Sequence, residues 1–160
     1  MSAHRIVHEF LTKCHVFYVA TVEEGGQPRV RPFGAHLLID DVLYFQTGQG
    51  RSVHEQMSKN PRIEICSYVE REWIRITGEV EFVDDDAIRA AMFAAAPERA
   101  RSYYKLPKIA RRALLKKVPG LKNMVDPEGD PLKNGAPFRL RNATAGIYSL
   151  KDETRYYVLD

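Results

Sequence analysis

Cysteine is scarce in this sequence, and long apolar runs are absent. The two cysteines, Cys14 and Cys66, have neither a Cys-x-x-Cys arrangement nor metal-type spacing, so we expect reduced packing residues of a cytosolic protein. No apolar run approaches the roughly 20 residues that a membrane span needs. The first residues also lack the apolar core of a secretory signal. The sequence therefore predicts a cytoplasmic protein with no membrane partner.

Several catalytic motifs are missing as well. The sequence has no Gly-x-Ser-x-Gly elbow and no Gly-x-Gly-x-x-Gly fingerprint, which removes the usual signatures of serine hydrolases and dinucleotide-binding folds. Among the five histidines, only His4 and His8 have a spacing that places two rings on one helix face. Such a surface pair is usually solvated, so we predict no metal site.

Acidic residues are absent between Arg99 and Val125, a stretch with nine basic residues. The whole chain of 160 residues is 44% hydrophobic and 28% charged, and its formal net charge is only +3. This composition predicts one globular domain, residues 1–160, and argues against a nucleic-acid partner. The basic stretch is interpreted as an insertion at about 99–135. The prolines expected to break it are Pro107, Pro119, Pro127, Pro131 and Pro137.

The basic insertion has room for at most one short helix, at about residues 108–117, if each proline breaks the chain. Its function has three open interpretations. It is a solvated excursion, a lid over a binding groove, or a surface that meets an anionic membrane or nucleic acid. The lid interpretation requires Tyr103 or Tyr104 to face the groove.

Strand-like segments dominate the rest of the chain. They follow an amphipathic helix at residues 2–13, with Ser2 as its cap, and flank an Ala-rich helix at 87–96. Five to seven strands in hairpin order predict a mainly β (α+β) fold, a closed antiparallel β-barrel with a few flanking helices. The extended stretches are 15–22, 28–40, 42–47, 62–68, 73–83, 138–141, 143–150 and 154–159.

The strongest chemical signal lies where the third strand meets a helix. Thr47 and Gly48 open a glycine-rich turn, Arg51 follows, and Ser52 is predicted to cap the next helix in a capping box with Glu55. Backbone N–H groups at a helix start, a hydroxyl and a guanidinium together suit a phosphate group. The alternative is a plain strand-to-helix connection with a surface arginine.

Two weaker signals lie on other strands. Arg31, Pro32 and Phe33 interrupt an apolar stretch, which suits a ligand against exposed backbone or, alternatively, an edge strand with protective charges. Trp73 opens the most regular strand, and Gly78 within that strand indicates a bulge or a close approach. Trp73 either flanks an aromatic cofactor or is an amphipathic rim residue.

In this order, the three signals resemble the FMN-binding split-barrel superfamily related to pyridoxamine 5'-phosphate oxidase, above all its branch similar to nitroimidazole reductases. The resemblance covers roughly residues 5–97 and 138–159. The matching stretches are Tyr18 to Val22, Pro28 to Gly34, Leu43 to Gly48, Gln56 to Pro61, Trp73 to Val80 and Ala145 to Ser149.

The resemblance implies a split barrel that forms a homodimer, with FMN in the grooves between subunits. By position, Arg31 and Thr47 would bind the FMN phosphate, and Gly48, Arg51 and Ser52 would form the phosphate-binding turn. Pro32, Phe33 and Trp73 would border the flavin. This sequence departs from the oxidase at several positions, because Ser52-Val53 replaces an Arg-Lys pair and His36 replaces the substrate lysine.

These departures argue against oxidation of pyridoxamine phosphate itself. We expect an FMN-dependent oxidoreductase that acts on a small molecule and takes electrons from a nicotinamide donor, with unassigned catalytic residues. The alternatives are a non-catalytic flavin carrier or sensor, and a split barrel that binds a deazaflavin or haem.

Overall fold

The computed structural model describes residues 1–123, 125–126 and 128–160; Met124 and Pro127 lie outside them. The helices are α1 (Ala3–Cys14), α2 (Ser52–Lys59), α3 (Asp86–Ala95), α4 (Glu98–Lys105), α5 (Lys108–Lys117) and α6 (Pro131–Asn134), with a short 3-10 helix at Pro119–Asn123. The strands are β1 (Phe17–Val22), β2 (Pro28–Phe33), β3 (His36–Ile39), β4 (Val42–Gly48), β5 (Arg62–Val69), β6 (Glu72–Phe82), β7 (Gly135–Ser149) and β8 (Arg155–Leu159). Within the described residues, no helix is long and apolar enough to cross a membrane.

All eight strands form one curled antiparallel sheet that stays open. The strand order is β2-β1-β5-β6-β7-β4-β3, and β8 pairs with β7. The predicted closed barrel is therefore replaced by a half-barrel, in which β2 and β3 form the two edges. The prolines explain one edge, because Pro28 and Pro32 in β2 cannot donate to a further ladder. The predicted stretch 28–40 breaks at Gly34-Ala35, where the chain passes from one edge to the other.

The inner face of the sheet carries the apolar core, which α1 and α2 cover. Ser2 caps α1 as predicted and accepts a hydrogen bond from the Arg5 amide at 3.2 Å. Strand β6 alternates as the sequence predicts, with Ile74 and Ile76 buried. The largest fully buried side chains include Phe17, Val19, Phe45, Ile65, Ile74, Ile76 and Phe138.

The predicted irregularity at Gly78 is confirmed. The register of β6 against β7 shifts between Thr77 and Glu79, and a Cβ at Gly78 would lie 2.8 Å from the Cβ of Ala143. A side chain at Gly78 would therefore clash with β7. On the other strand Asn142 adopts a φ of 49°, so β7 continues through the bulge as one strand where two were predicted.

The outer face of the half-barrel exposes a group of aromatic side chains, which we call the outer aromatic face. Trp73 and Tyr148 are directly opposite each other, and their rings stack at 5.4 Å between centroids. Tyr148 lies across Gly146, where an added Cβ would come within 2.8 Å of the tyrosine hydroxyl. The members of the outer aromatic face are Tyr18, Tyr68, Trp73, Tyr148 and Tyr156.

The basic insertion is more helical than the sequence predicts. The helix at 108–117 is confirmed as α5, but α4, α6 and the 3-10 helix surround it. The prolines begin these helices, since Pro97 and Pro107 are the N-cap residues of α4 and α5 and Pro131 is the first residue of α6. A proline at a helix start loses no intrahelical hydrogen bond, so several short helices fit between the prolines.

Two histidines meet between α1 and β3. The Nδ1 atoms of His8 and His36 lie 3.1 Å apart, and the His36 ring packs edge-on against Phe17. Burial, reinforced by the neighbouring His8, lowers the pKa of His36 from 6.5 to about 4. The partly buried imidazole is therefore neutral near pH 7, where it fits the apolar surroundings.

We expect the protein to lose stability as the pH falls from 6.5 to 4. In this window the unfolded chain protonates His36 and the folded chain does not. The free energy of unfolding therefore keeps its full value above pH 6.5 and falls as the pH drops below it. Because His36 is only partly buried, we expect a loss of about 1–2 kcal/mol. Urea unfolding of the wild type and of His36→Phe at pH 7 and pH 4.5 measures it.

His36→Phe should flatten this part of the pH profile, while the control His15→Gln, at an exposed histidine, should keep the wild-type profile. An unchanged profile in His36→Phe would assign the acid sensitivity to other groups.

Candidate functional site

The predicted phosphate turn links the end of β4 to α2. Thr47 and Gly48 end β4, and the aliphatic part and Nε of the Arg51 side chain lie 3.6–3.8 Å from where a Gly48 Cβ would be. The first helical bond of α2 runs from the Glu55 amide to the Arg51 carbonyl at 3.2 Å. The preceding amides of α2 therefore have no carbonyl partner within the helix and point out of its start.

The predicted capping box at Ser52 is wrong. Arg51 is the N-cap residue, and no side-chain hydrogen bond caps α2 within the described residues. Ser52 is already the first helical residue, while Glu55 forms an ion pair with Lys59 at 3.1 Å. Lys59 lies one turn after Glu55 on the same helix and binds the carboxylate that a capping box would need. The start of α2 thus keeps its positive dipole end open to an anion.

Not every amide of the turn is open, because the basic insertion occupies one of them. The Gln49 amide donates to the Asn134 carbonyl at 2.8 Å, and Asn134 Nδ2 donates to Asp126 at 3.1 Å. Burial alone would raise the pKa of Asp126, but hydrogen bonds, first that from Asn134, and the nearby Arg51 charge lower it. The ionised Asp126 and the basic turn attract each other, which fixes this end of the insertion against the turn.

Arg31 approaches the same helix from the inner face of β2. It pairs with the buried Val19, and its guanidinium donates to Thr21 Oγ1 and to Gln56 Oε1, both at 2.6 Å. Gln56 lies one turn after Ser52 and therefore on the same face of α2. Burial, with a contribution from Arg29, lowers the pKa of Arg31, but an arginine stays charged at neutral pH.

Ser52 and Gln56 line a cavity of about 240 Å³ beside α2. Carboxylates rim the cavity, and within the described residues each of them has a cationic partner. Glu23 is bound by Arg29 through two hydrogen bonds, and Lys59 holds the other two carboxylates. The rim carboxylates are Glu23, Glu24 and Glu55, and the cations that hold them are Arg29 and Lys59. Arg31 reaches the cavity wall through its hydrogen bond to Gln56.

The predicted residues divide between the two faces of the sheet. Arg31 and Phe33 point inward, and Phe33 contacts the core ring of Phe17 at 6.1 Å between centroids. Pro32 is exposed opposite Tyr18 on the outer face, which also carries Trp73. The turn residues Thr47, Gly48, Arg51 and Ser52 gather at the start of α2. One chain therefore brings the phosphate-type residues near α2 but keeps Trp73 on the opposite face of the sheet.

The chain matches known proteins over most of its length. Residues 4–121 match the sequence family described as pyridoxamine 5'-phosphate oxidase. The chain belongs to the pyridoxamine 5'-phosphate oxidase family. A search of the curated proteins gives no match. The resemblance inferred from the three sequence signals is thereby confirmed at the level of the superfamily.

Solved structures similar to this family member include a nimC/nimA family protein from Clostridium acetobutylicum. The two chains are 31% identical, with 98% of this chain and 92% of the other covered and a TM-score of 0.70. A pyridoxamine 5'-phosphate oxidase-related, FMN-binding protein from Nostoc punctiforme is 22% identical, with 96% and 88% coverage and a TM-score of 0.57. PhzG from Burkholderia lata is 14% identical, with 97% and 84% coverage and a TM-score of 0.64. The latter two show a shared fold.

Sequence reasoning missed two residues of the site, Thr21 and Gln56. Both lie in stretches that carry the family resemblance, but neither has an unusual sequence context. Thr21 resembles any β-branched strand residue, and Gln56 resembles any polar position on a short helix. The helical spacing between Ser52 and Gln56 was the available signal, since it places both side chains on one face.

Tyr103 and Tyr104, which the lid interpretation requires to face the groove, pack within the insertion. Their rings contact each other, and Tyr104 also contacts Phe93 in α3. The Arg111 guanidinium lies over both rings, at 5.8 and 5.2 Å from their centroids. The two tyrosines therefore belong to the packing of the insertion itself, and the cation–π contacts bring Arg111 into that packing.

Proposed function

We propose that this protein binds FMN and works as a cytoplasmic, FMN-dependent oxidoreductase acting on a small molecule. The observation that carries the proposal is the uncapped start of α2, where Arg51 is the N-cap residue, with Arg31 bonded to Gln56 one turn further along the same helix. Family membership supports it, and so does the fold shared with the FMN-binding protein of Nostoc punctiforme.

The residues around α2 fit a phosphate monoester. The open amides at the start of α2 and the guanidinium groups of Arg31 and Arg51 would bind the phosphate oxygens, with the Thr47 hydroxyl beside them. Each rim carboxylate already contacts a cation other than Arg31, with Lys59 shared by Glu24 and Glu55. Bound FMN would supply hydride and electron transfer, and the protein would orient the cofactor and shape the substrate site.

We also propose a homodimer, because one chain separates the two parts of the site. The phosphate-type residues lie by α2, whereas Trp73 and Pro32 lie on the outer aromatic face. A second copy that covers this face would bring its own phosphate-type residues towards Trp73, and the flavin would lie between the two chains. Tyr68 is 65% exposed and Tyr156 is 71% exposed. Exposed groups of large aromatic side chains mark interaction surfaces, so this face supports contact with a partner chain.

A flavin carrier is the second candidate function. Within the described residues, every carboxylate that rims the cavity is held in an ion pair. Among the described residues, the partly buried His36 contacts His8 and Phe17. Neither arrangement leaves an evident proton donor beside the proposed cofactor. A carrier would bind FMN tightly without turnover by nicotinamide donors, whereas the oxidoreductase would oxidise them in the presence of its substrate.

The proposal predicts that the apoprotein binds FMN at least about tenfold more tightly than riboflavin, because only FMN can use the charge-assisted hydrogen bonds near α2. Quenching of flavin fluorescence in titrations with both ligands measures the ratio. Equal affinities would show that this region does not bind phosphate, and the proposal would then be wrong.

A further inference from the structure

A partly buried hydrogen-bonded triangle connects β1, β2 and α2. The Thr21 hydroxyl, on a residue only 1% exposed, donates to Gln56 Oε1 at 2.6 Å. It also accepts a hydrogen bond from Arg31 Nη1 at 2.6 Å, while Arg31 Nη2 donates to the same Gln56 oxygen at 2.6 Å. Each of the three side chains is thus held by the other two.

The triangle binds the Arg31 guanidinium through its two Nη atoms. Nη1 also approaches the carbonyl oxygens of Val19 and Arg29, at 3.3 and 3.2 Å. A guanidinium has five N–H groups. Within the described part of the chain, the contacts of Arg31 use Nη1 and one of the two N–H groups of Nη2. The edge formed by Nε and Nη2 stays available, and this edge can bind two oxygens of one anion.

Fixing an arginine in this way matters for recognition, because a long flexible side chain loses conformational entropy when it binds a ligand. Thr21 and Gln56 remove that loss in advance by holding the guanidinium in place. Gln56 also ties Arg31 to the helix whose open start faces the same cavity. The two donor groups therefore keep a constant relative position.

We propose that Thr21 and Gln56 are positioning residues that orient Arg31 and thereby determine the preference for a phosphorylated flavin. This inference rests on the proposed function. It adds that selectivity depends on two uncharged residues which need not touch the ligand. The phosphate is the group recognised, so riboflavin serves as the matched ligand without it.

The test compares FMN and riboflavin affinities of apoprotein variants by fluorescence titration. Gln56→Met removes the shared acceptor at nearly constant size, and Thr21→Val removes the hydroxyl at constant shape. The matched controls are Gln27→Met and Thr12→Val, at exposed residues whose side chains donate to nearby backbone carbonyls. We expect each triangle variant to lower the FMN-to-riboflavin preference about fivefold or more through weaker FMN binding, and the controls to keep it.

A purely structural role would weaken both ligands equally or lower thermal stability alone, and either result would overturn the inference. The double variant Arg31→Ala/Gln56→Met provides a second check, since it should be no less selective than Arg31→Ala by itself. If Thr21→Val does not fold, Gln56→Met decides the outcome. A wild type without any preference for FMN overturns the proposed function and this inference, whereas a selective wild type with equally selective variants overturns this inference alone.

Discussion

Arg51→Ala should weaken FMN binding by about 10- to 100-fold, which corresponds to about 1.5–3 kcal/mol for a lost charge-assisted hydrogen bond. Arg51 is the N-cap residue of α2, and its side chain lies over Gly48 beside the open amides. Its guanidinium is therefore placed to reach an anion bound at the start of α2. Fluorescence titration of the apoprotein with FMN measures the loss.

Riboflavin titration separates a phosphate contact from a general disturbance of the turn. Its affinity for Arg51→Ala should stay within about twofold of the wild-type value, because riboflavin lacks the group that Arg51 would bind. The matched control is Arg62→Ala, at an exposed arginine whose Nε contacts Asn60. A loss of less than about twofold in FMN affinity would assign Arg51 to the structural connection between β4 and α2.

Charged substitutions on the outer aromatic face should dissociate the proposed dimer. We expect the wild type to have twice the 18.3 kDa chain mass in light scattering, and Tyr68→Glu/Tyr156→Glu to have the mass of one chain. Buried aromatic residues at the centre of an interface each contribute about 2 kcal/mol or more, and a buried unpaired carboxylate adds a further cost.

FMN binding should fall together with dimerisation, because the proposed site draws on both chains. Ile109→Glu is the control, since Ile109 is an apolar residue of α5 that is 80% exposed and lies outside the sheet. This variant should stay dimeric and bind FMN normally. A wild type that is monomeric at micromolar concentration would contradict the dimer, and a monomeric variant with undiminished FMN affinity would place the site within one chain.

Local patterns in the sequence were sufficient for most of the elements. The alternation in β6, the Ser2 cap and the bulge at Gly78 depend on neighbouring residues, and the structure has all three. Closure of the barrel depends instead on the curvature of the whole sheet, which decides whether the edge strands β2 and β3 pair side by side. That pairing has no local signal, so the open sheet could not be predicted. The helices of the insertion have no clear local signal, because a proline breaks a helix in its interior but also begins one, as Pro97 and Pro107 do.

The candidate site was predictable where its residues are close in sequence. The turn at 47–52 forms one local unit, but its cap at Ser52 was misplaced by one residue because Glu55 pairs with Lys59. The triangle around Arg31 joins three separate elements, and sequence periodicity does not report which side chains meet across them. The division of Arg31 and Trp73 between opposite faces follows from strand register, which a resemblance alone does not supply.

The central claim is that the ligand of this protein is FMN, and the mass of the chromophore released from the purified protein tests it most directly. After expression, and again after incubation of the apoprotein with a mixture of FMN, riboflavin, a deazaflavin and haem, the bound compound is extracted and identified by mass spectrometry. The account predicts FMN in both samples, in a ratio of about one per chain. Recovery of haem, a deazaflavin or riboflavin in preference to FMN would contradict it.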